Sequence, residues 1–360
     1  MHYRNIVFSI LLAFTSVLSY SQGVGIPSKK GGIGFGNLRT FKGIRFNFVD
    51  KKVEKITGIN VSMWQTKEEG DQTGTVNGIS IGLPLAIGTE NKNGIGLGIL
   101  GVGATKNLTG INIGGLGVGA GGNITGLNVG GLGMGTGGNL RGINIGGLGA
   151  GAGGDVHGIN VGGLGIGAGG NLVGLNFGGI GVGGSKKVTG INIGGLGVGA
   201  GSDLEGITIG GLGVGAGGTI KGITIAGLGV GAGKELKGLV IAALAAGSPK
   251  VTAIAIAPVV GGVSVRGLII APIHLLVGPM KKFKHGDDES AEESNGTLKG
   301  VAISVFTKVN GQQNGVSLGV VNYARKIKGV QFGLINIVKE NPKGLRLLPI
   351  FNMRFGKKSE

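Results

Sequence analysis

The sequence predicts an all-β repeat protein, most directly a β-solenoid with 16-residue coils, and three observations carry that prediction. Glycine fills 86 of the 360 positions, against an average share of about 7%, and at that density it weakens helices and ordinary strands unless a fold uses it systematically. Eleven glycines, Gly78, Gly94, Gly110, Gly126, Gly142, Gly158, Gly174, Gly190, Gly206, Gly222 and Gly238, follow one another at steps of sixteen without a slip. Apolar residues reach 41% with 14% charged and 8 prolines, which excludes a disordered chain and a collagen-like one. Ordered, glycine-punctuated β structure remains.

Self-similarity this regular reads as stacked copies of one small unit. The best copies are LTGINIGGLGVGAGGN from Leu108 and ITGLNVGGLGMGTGGN from Ile124. Numbered from the first apolar residue, a copy has large aliphatics at positions 1, 4, 6, 9 and 11, as in Ile124, Leu127, Val129, Leu132 and Met134. Small residues hold 3, 7, 8, 10, 12, 14 and 15. The three-residue step from 6 to 9 reverses the faces of an unbroken strand, so a corner is expected at the Gly-Gly of positions 7 and 8. A second corner belongs at 14 to 16, where Asn123, Asn139, Asp155, Asn171 and Asp203 supply turn chemistry.

In a solenoid, strands at positions 4 to 6 and 9 to 11 would stack on their equivalents, with all five aliphatics filling a narrow core. Position 5 then forms a polar row of Asn112, Asn128, Asn144, Asn160, Asn176, Asn192, Thr208 and Thr224. Stacked about 4.8 Å apart, these side chains are expected to hydrogen-bond along the axis and pin the register. The other reading of the row is a flat polar face for glycan or ice.

The alternative architecture is an antiparallel transmembrane β-barrel of roughly 20 strands, one strand per copy, with aliphatics toward lipid. A meander alternates its turns between two ends, yet the turn segments show no 32-residue alternation. Barrels also carry aromatic girdles, and Phe177 is the one aromatic between Leu108 and Gly247. Against the solenoid stand Val240, Ala242, Ala255 and Ile269, apolar residues at positions expected to face water.

Residues 1–21 read as a signal peptide, with Arg4, an apolar run from Ile6 to Phe14 and small residues before Gln22. Degenerate repeats or a cap follow at 22–77, regular repeats at 78–247, degenerate apolar repeats at 248–280, a charged loop at 281–299 and C-terminal degenerate repeats or a cap at 300–360. The flanks keep the grammar in units such as Lys42-Gly43-Ile44-Arg45-Phe46 and Lys343-Gly344-Leu345-Arg346-Leu347. Their aromatics, Phe46, Phe48, Trp64, Tyr323, Phe332 and Phe351, are expected to close the ends of the core. The acid run of Asp287, Asp288, Glu289, Glu292 and Glu293 reads as a solvated loop.

No enzymatic constellation is legible. Matches to G-x-G-x-x-G lack a strand-to-helix unit, and the phosphate-loop likeness at Gly231-Ala232-Gly233-Lys234 has Leu228 where glycine is needed and Glu235 where Ser or Thr is needed. His157 shares a repeat position with Thr125, Arg141 and Lys221, which makes it an exposed bystander, and His274 and His285 lack partners of catalytic type. No cofactor and no metal are expected. The chain has no cysteine and a formal charge of +17, which points to anionic envelope glycan, lipopolysaccharide or lipid. With few aromatics among its basic residues, nucleic acid is not an expected partner; self-association is open to a repeat surface.

Units such as Gly329-Val330-Gln331-Phe332-Gly333-Leu334-Ile335-Asn336 and the Gly-Gly-Leu-Gly-Val-Gly-Ala-Gly-Gly run resemble the glycine-rich surface-repeat proteins of bacterial envelopes. The resemblance covers most of the mature chain. It implies an exported, envelope-associated protein with no established activity and no functional residues to carry over; the expected location is the outer membrane or cell surface of a Gram-negative bacterium, with the periplasm or the medium as the alternative. The chain departs from that pattern in having asparagine or threonine where many copies have glutamine, and it lacks a lipidation cysteine.

Overall fold

A computed structural model describes residues 23–66, 70–279 and 295–354. The proposed signal peptide and most of the acidic loop lie outside the described residues. The chain forms two compact units, Met1–Gly170 and Asn171–Glu360, and each is a β-solenoid.

In the first unit every regular coil contributes one long and one short strand, as in Asn107–Gly114 with Gly117–Ala120 and Ile124–Gly130 with Gly133–Thr136. Like strands pair with like across a sixteen-residue offset, in parallel: Leu108 faces Ile124, Asn112 faces Asn128 and Val118 faces Met134. Parallel register is what translation from coil to coil produces, and an antiparallel barrel cannot produce it. The second unit repeats the arrangement, with Val188 opposite Leu204 and Ile220 opposite Leu236. The strands run over positions 1 to 7 and 10 to 13, longer than expected, and the first corner falls at 8 and 9.

The long strand is unbroken from 1 to 7, so its odd positions share one face. That face is the interior: Leu108, Asn112 and Gly114 are buried while Ile111 and Ile113 are exposed. After the corner the inward residue is position 11, represented by Val118, Val198 and Val214. The expectation of five inward aliphatics per copy is therefore corrected to two, at positions 1 and 11. Rows 4, 6 and 9 point outward. The same parity removes the objection from Val240, Ala242, Ala255 and Ile269, all of which are buried inside the coil.

Position 3 explains the invariant step of glycine. Gly126 has φ 122° and Gly142 has φ 112°, a backbone region that side chains avoid. A Cβ on Gly126 would also press on the carbonyl oxygen of Gly110 in the neighbouring coil. Both reasons recur coil after coil, so this position sets the spacing at which the strands stack.

Each unit ends in an antiparallel pairing that covers an open strand edge. Val24–Ser28 turns back on Gly31–Phe35 at one end, and Leu347–Arg354 returns along Val321–Val338 at the other. Here two expectations fail. Lys343–Leu345 is a 3₁₀ turn leading into that reversed strand, because a final coil has no neighbour to pair with. Phe46, Phe48, Trp64, Phe332 and Phe351 are exposed, because they occupy outward positions of their strands. Residues 296–299, grouped with the charged loop, begin the strand Gly296–Leu318.

Candidate functional surface

The row singled out in the sequence lies wholly inside. Asn112, Asn128, Asn144, Asn160, Asn176, Asn192, Thr208 and Thr224 are each at most 1% exposed. In the first unit Asn112 Nδ2 donates to Asn128 Oδ1 at 2.9 Å, Asn128 to Asn144 at 2.9 Å, and Asn144 to Asn160 at 2.8 Å. In the second, Asn176 donates to Asn192 at 2.8 Å. The axial ladder forms as expected, but buried side chains cannot present a flat face to glycan or ice. The ladder stops where threonine replaces asparagine: Asn192 Nδ2 and Thr208 Oγ1 are buried without a hydrogen-bond partner.

At the N-terminal end the same row carries a charge. Arg45 is completely buried, donating through Nε to Asn60 Oδ1 at 2.8 Å and through Nη2 to Asp50, which also accepts from Asn60 Nδ2 at 2.8 Å. Burial lowers the Arg45 pKa, and the Asp50 carboxylate opposes that shift. Lys92 replaces the aliphatic of position 1 and reaches Thr89 Oγ1 at 3.0 Å. Burial pushes its ammonium down to about 8, with Asp50 opposing and Arg45 reinforcing the shift. Sequence reasoning missed this cluster, since Arg45 and Lys92 look like surface residues until the parity of the strand is known.

The outside divides into two edges. At the corner of positions 14 to 16, side-chain oxygens of one coil accept backbone N–H groups of the next: Asn123 N donates to Asn107 Oδ1 at 3.0 Å, and Asp155 N to Asn139 Oδ1 at 2.8 Å. Between Glu90 and Arg266, every Asp, Glu, Lys and Arg except Lys92 sits at position 15, 16 or 2, on or beside this corner. His157 belongs there too, 3.8 Å from Asp155.

The opposite corner is apolar. Position 9 holds Leu116, Leu132, Leu148 and Leu164 in the first unit and Leu196, Leu212, Leu228 and Leu244 in the second, each about half exposed. Rows 4 and 6 flank it on the long strand with Ile111, Ile113, Ile143 and Ile145. On the short strand, positions 10 and 12 are glycine, as in Gly133 and Gly135. A Cβ on Gly135, Gly167, Gly199, Gly215 or Gly231 would meet nothing within 4 Å, so the fold has no steric need for glycine there. A shallow depression of about 530 Å³ opens on the first unit's glycine face beside Gln72, Ile87, Leu100 and Met134; no titratable side chain lines it.

No family model, curated protein or solved structure matches the chain. The functional reading therefore rests on the surface itself. Among the described residues no helix is long and apolar enough to cross a membrane.

Proposed function

We propose that the chain is a non-enzymatic repeat protein exported to the bacterial cell envelope, where it serves as a structural or adhesive element. The observation that supports this reading is the distribution of side chains over the coil. In the regular coils, chemistry-bearing residues are spread along one edge at repeat intervals, and the rest of the exterior is a repeated surface of aliphatic rows and glycine. A surface that repeats with every coil suits contact with an extended partner, and its basic excess suits anionic glycan, lipopolysaccharide or lipid. The N-terminal segment and the resemblance to envelope surface-repeat proteins point the same way.

Fractionation of a Gram-negative host expressing the full chain, followed by protease treatment of intact cells, tests the proposal. The expected result is a shortened chain in the envelope fraction, cleaved from outside. Retention in the cytosol with residues 1–21 still attached would overturn it.

A further inference from the structure

The aliphatic corner has a property unusual for a turn. Leu116 N donates to Leu100 O at 2.7 Å, Leu132 to Leu116 at 2.7 Å and Leu164 to Leu148 at 2.6 Å, while Gly115 N donates to Gly98 O at 3.0 Å. In the second unit Leu212 N donates to Leu196 O at 2.7 Å and Leu228 N to Leu212 O at 2.7 Å. The corner is thus itself a hydrogen-bonded ladder. Unpaired backbone groups cost several kcal/mol in hydrocarbon, which ordinarily keeps turns out of lipid. In this turn the N–H groups of positions 8, 9 and 10 are all paired along the row, Gly117 N with Leu100 O at 3.1 Å among them, which removes most of that penalty.

The geometry points to the leucine corner as a membrane-inserting edge: coils enter one leaflet of a bilayer corner-first, with rows 4, 6 and 9 among the acyl chains and positions 15, 16 and 2 at the headgroups. Three observations converge on lipid as the occupant. No Asp, Glu, Lys or Arg occurs from position 3 to 14 in any copy between Gly94 and Gly262, so the whole inserted part is free of formal charge. Positions 4 to 9 span five steps, at most about 16 Å at roughly 3.3 Å each, which fits within half of a hydrocarbon core of about 30 Å. The opposite edge has more basic than acidic residues, among them Lys106, Arg141, Lys186, Lys221, Lys237 and Arg266, as anionic headgroups require. A protein partner would call for neither the depth match nor the segregation of every charge to the far edge. The rows of half-exposed leucines, Leu116, Leu132, Leu148 and Leu164 in the first unit, are apolar surface of the kind that marks contact with a protein or a membrane. This inference deepens the envelope reading by naming the partner of the same surface.

The chain carries its own reporter. Trp64, its one tryptophan, ends the strand Lys55–Trp64 six residues after Gly58, the count at which the regular copies carry their corner leucine, and is exposed. The purified full chain is mixed with vesicles of phosphatidylcholine, with or without phosphatidylglycerol, whose acyl chains carry bromine. The chain is expected to float with the vesicles, more completely when they are anionic, and acyl-chain bromine should quench Trp64. Binding should survive about 0.5 M salt, at which surface charges are screened. The double variant L132K/L148K alters two half-exposed side chains and should retain the β signal in circular dichroism while its bound fraction falls at least about tenfold, since lysine is costly in hydrocarbon. T125K, on the charged edge, should bind within about twofold of the parent chain.

Flotation without quenching, or loss of binding in salt, would reduce the interaction to surface adsorption and overturn the proposal. So would undiminished binding by L132K/L148K. Oligomers that form without vesicles and dissolve in L132K/L148K would assign the corner to a second copy of the chain instead. Should the double variant fail to fold, the quenching of Trp64 in the unaltered chain decides alone. Because vesicle binding uses purified protein, its failure is distinguishable from mislocalisation in the cell.

Discussion

From Asn112 to Asn192 the inward position-5 row is amide; from Val240 through Ala255, Ile269 and Ala302 it is aliphatic or alanine. The parallel strand pairing around the two rows is the same. Asn128 pairs in parallel with Asn144, and Ala255 pairs in parallel with both Val240 and Ile269. The outward rows do not change either, with Ile143 42% exposed beside the amide row and Ile254 47% beside the aliphatic one. The stacking of strands and the exterior are therefore independent of what fills this row. The interior needs only to be satisfied, by hydrogen bonds directed along the axis or by dispersion.

The two solutions differ in how they fail, and the polar one fails more steeply. The largest effect is expected at its charged end, where Asp50→Ala leaves the Arg45 guanidinium buried without its carboxylate. Urea unfolding should show a loss of about 3 to 5 kcal/mol. A loss under about 1 kcal/mol would mean that the amide row does not depend on that ion pair.

Lys92 supplies a pH test confined to the same end. Its pKa is about 8 in the fold and near 10.4 in an unfolded chain. Between those values the unfolded state binds more protons, so stability rises with pH, by about 3 kcal/mol in total, and is flat below about pH 8. Unfolding midpoints measured from pH 7 to pH 10.5 should trace this rise, and Lys92→Leu should remove it while stabilising the protein at pH 7. A rise that persists in Lys92→Leu would assign it to another group.

Direct comparison of the rows comes next in size. Asn144→Ala strands the donor of Asn128 and removes the bond that Asn160 accepts from Asn144, at a cost of about 2 kcal/mol. Val240→Asn, the reciprocal change, places an amide between Thr224 and Ala255 and should cost a similar amount, about 2 kcal/mol. If Asn144→Ala proves neutral in thermal and urea unfolding, the ladder contributes no stability. The smallest effect is a gain. Thr208→Asn offers Asn192 Nδ2 the acceptor it lacks, and should stabilise the chain by about 1 kcal/mol.

Much of this architecture was legible in the sequence. Register came from the unbroken glycine step, corner composition from Asn123, Asn139 and Asp155, and the axial ladder from the repetition of Asn112 and its equivalents. The side that faces inward was not legible, because alternation along a strand is unchanged when inside and outside are exchanged. Aliphatics at 4 and 6 were assigned to the core on hydrophobicity, whereas Leu108 and Val118 fill it with Asn112 between them. The buried roles of Arg45 and Lys92 were hidden by the same ambiguity. Lys343-Gly344-Leu345 looked like another copy because a local motif carries no information about whether a neighbouring strand exists to receive it.

By itself, then, the sequence determined the period, the small residues at the corners and, in the copies between Gly94 and Gly262, the absence of charge from position 3 to 14, since all three are properties of residue order. The tertiary structure decided which face closes on itself. Closure brings Asn128 within hydrogen-bond reach of Asn144 and turns Leu132 toward the outside, and only the path of the chain through both corners settles that choice.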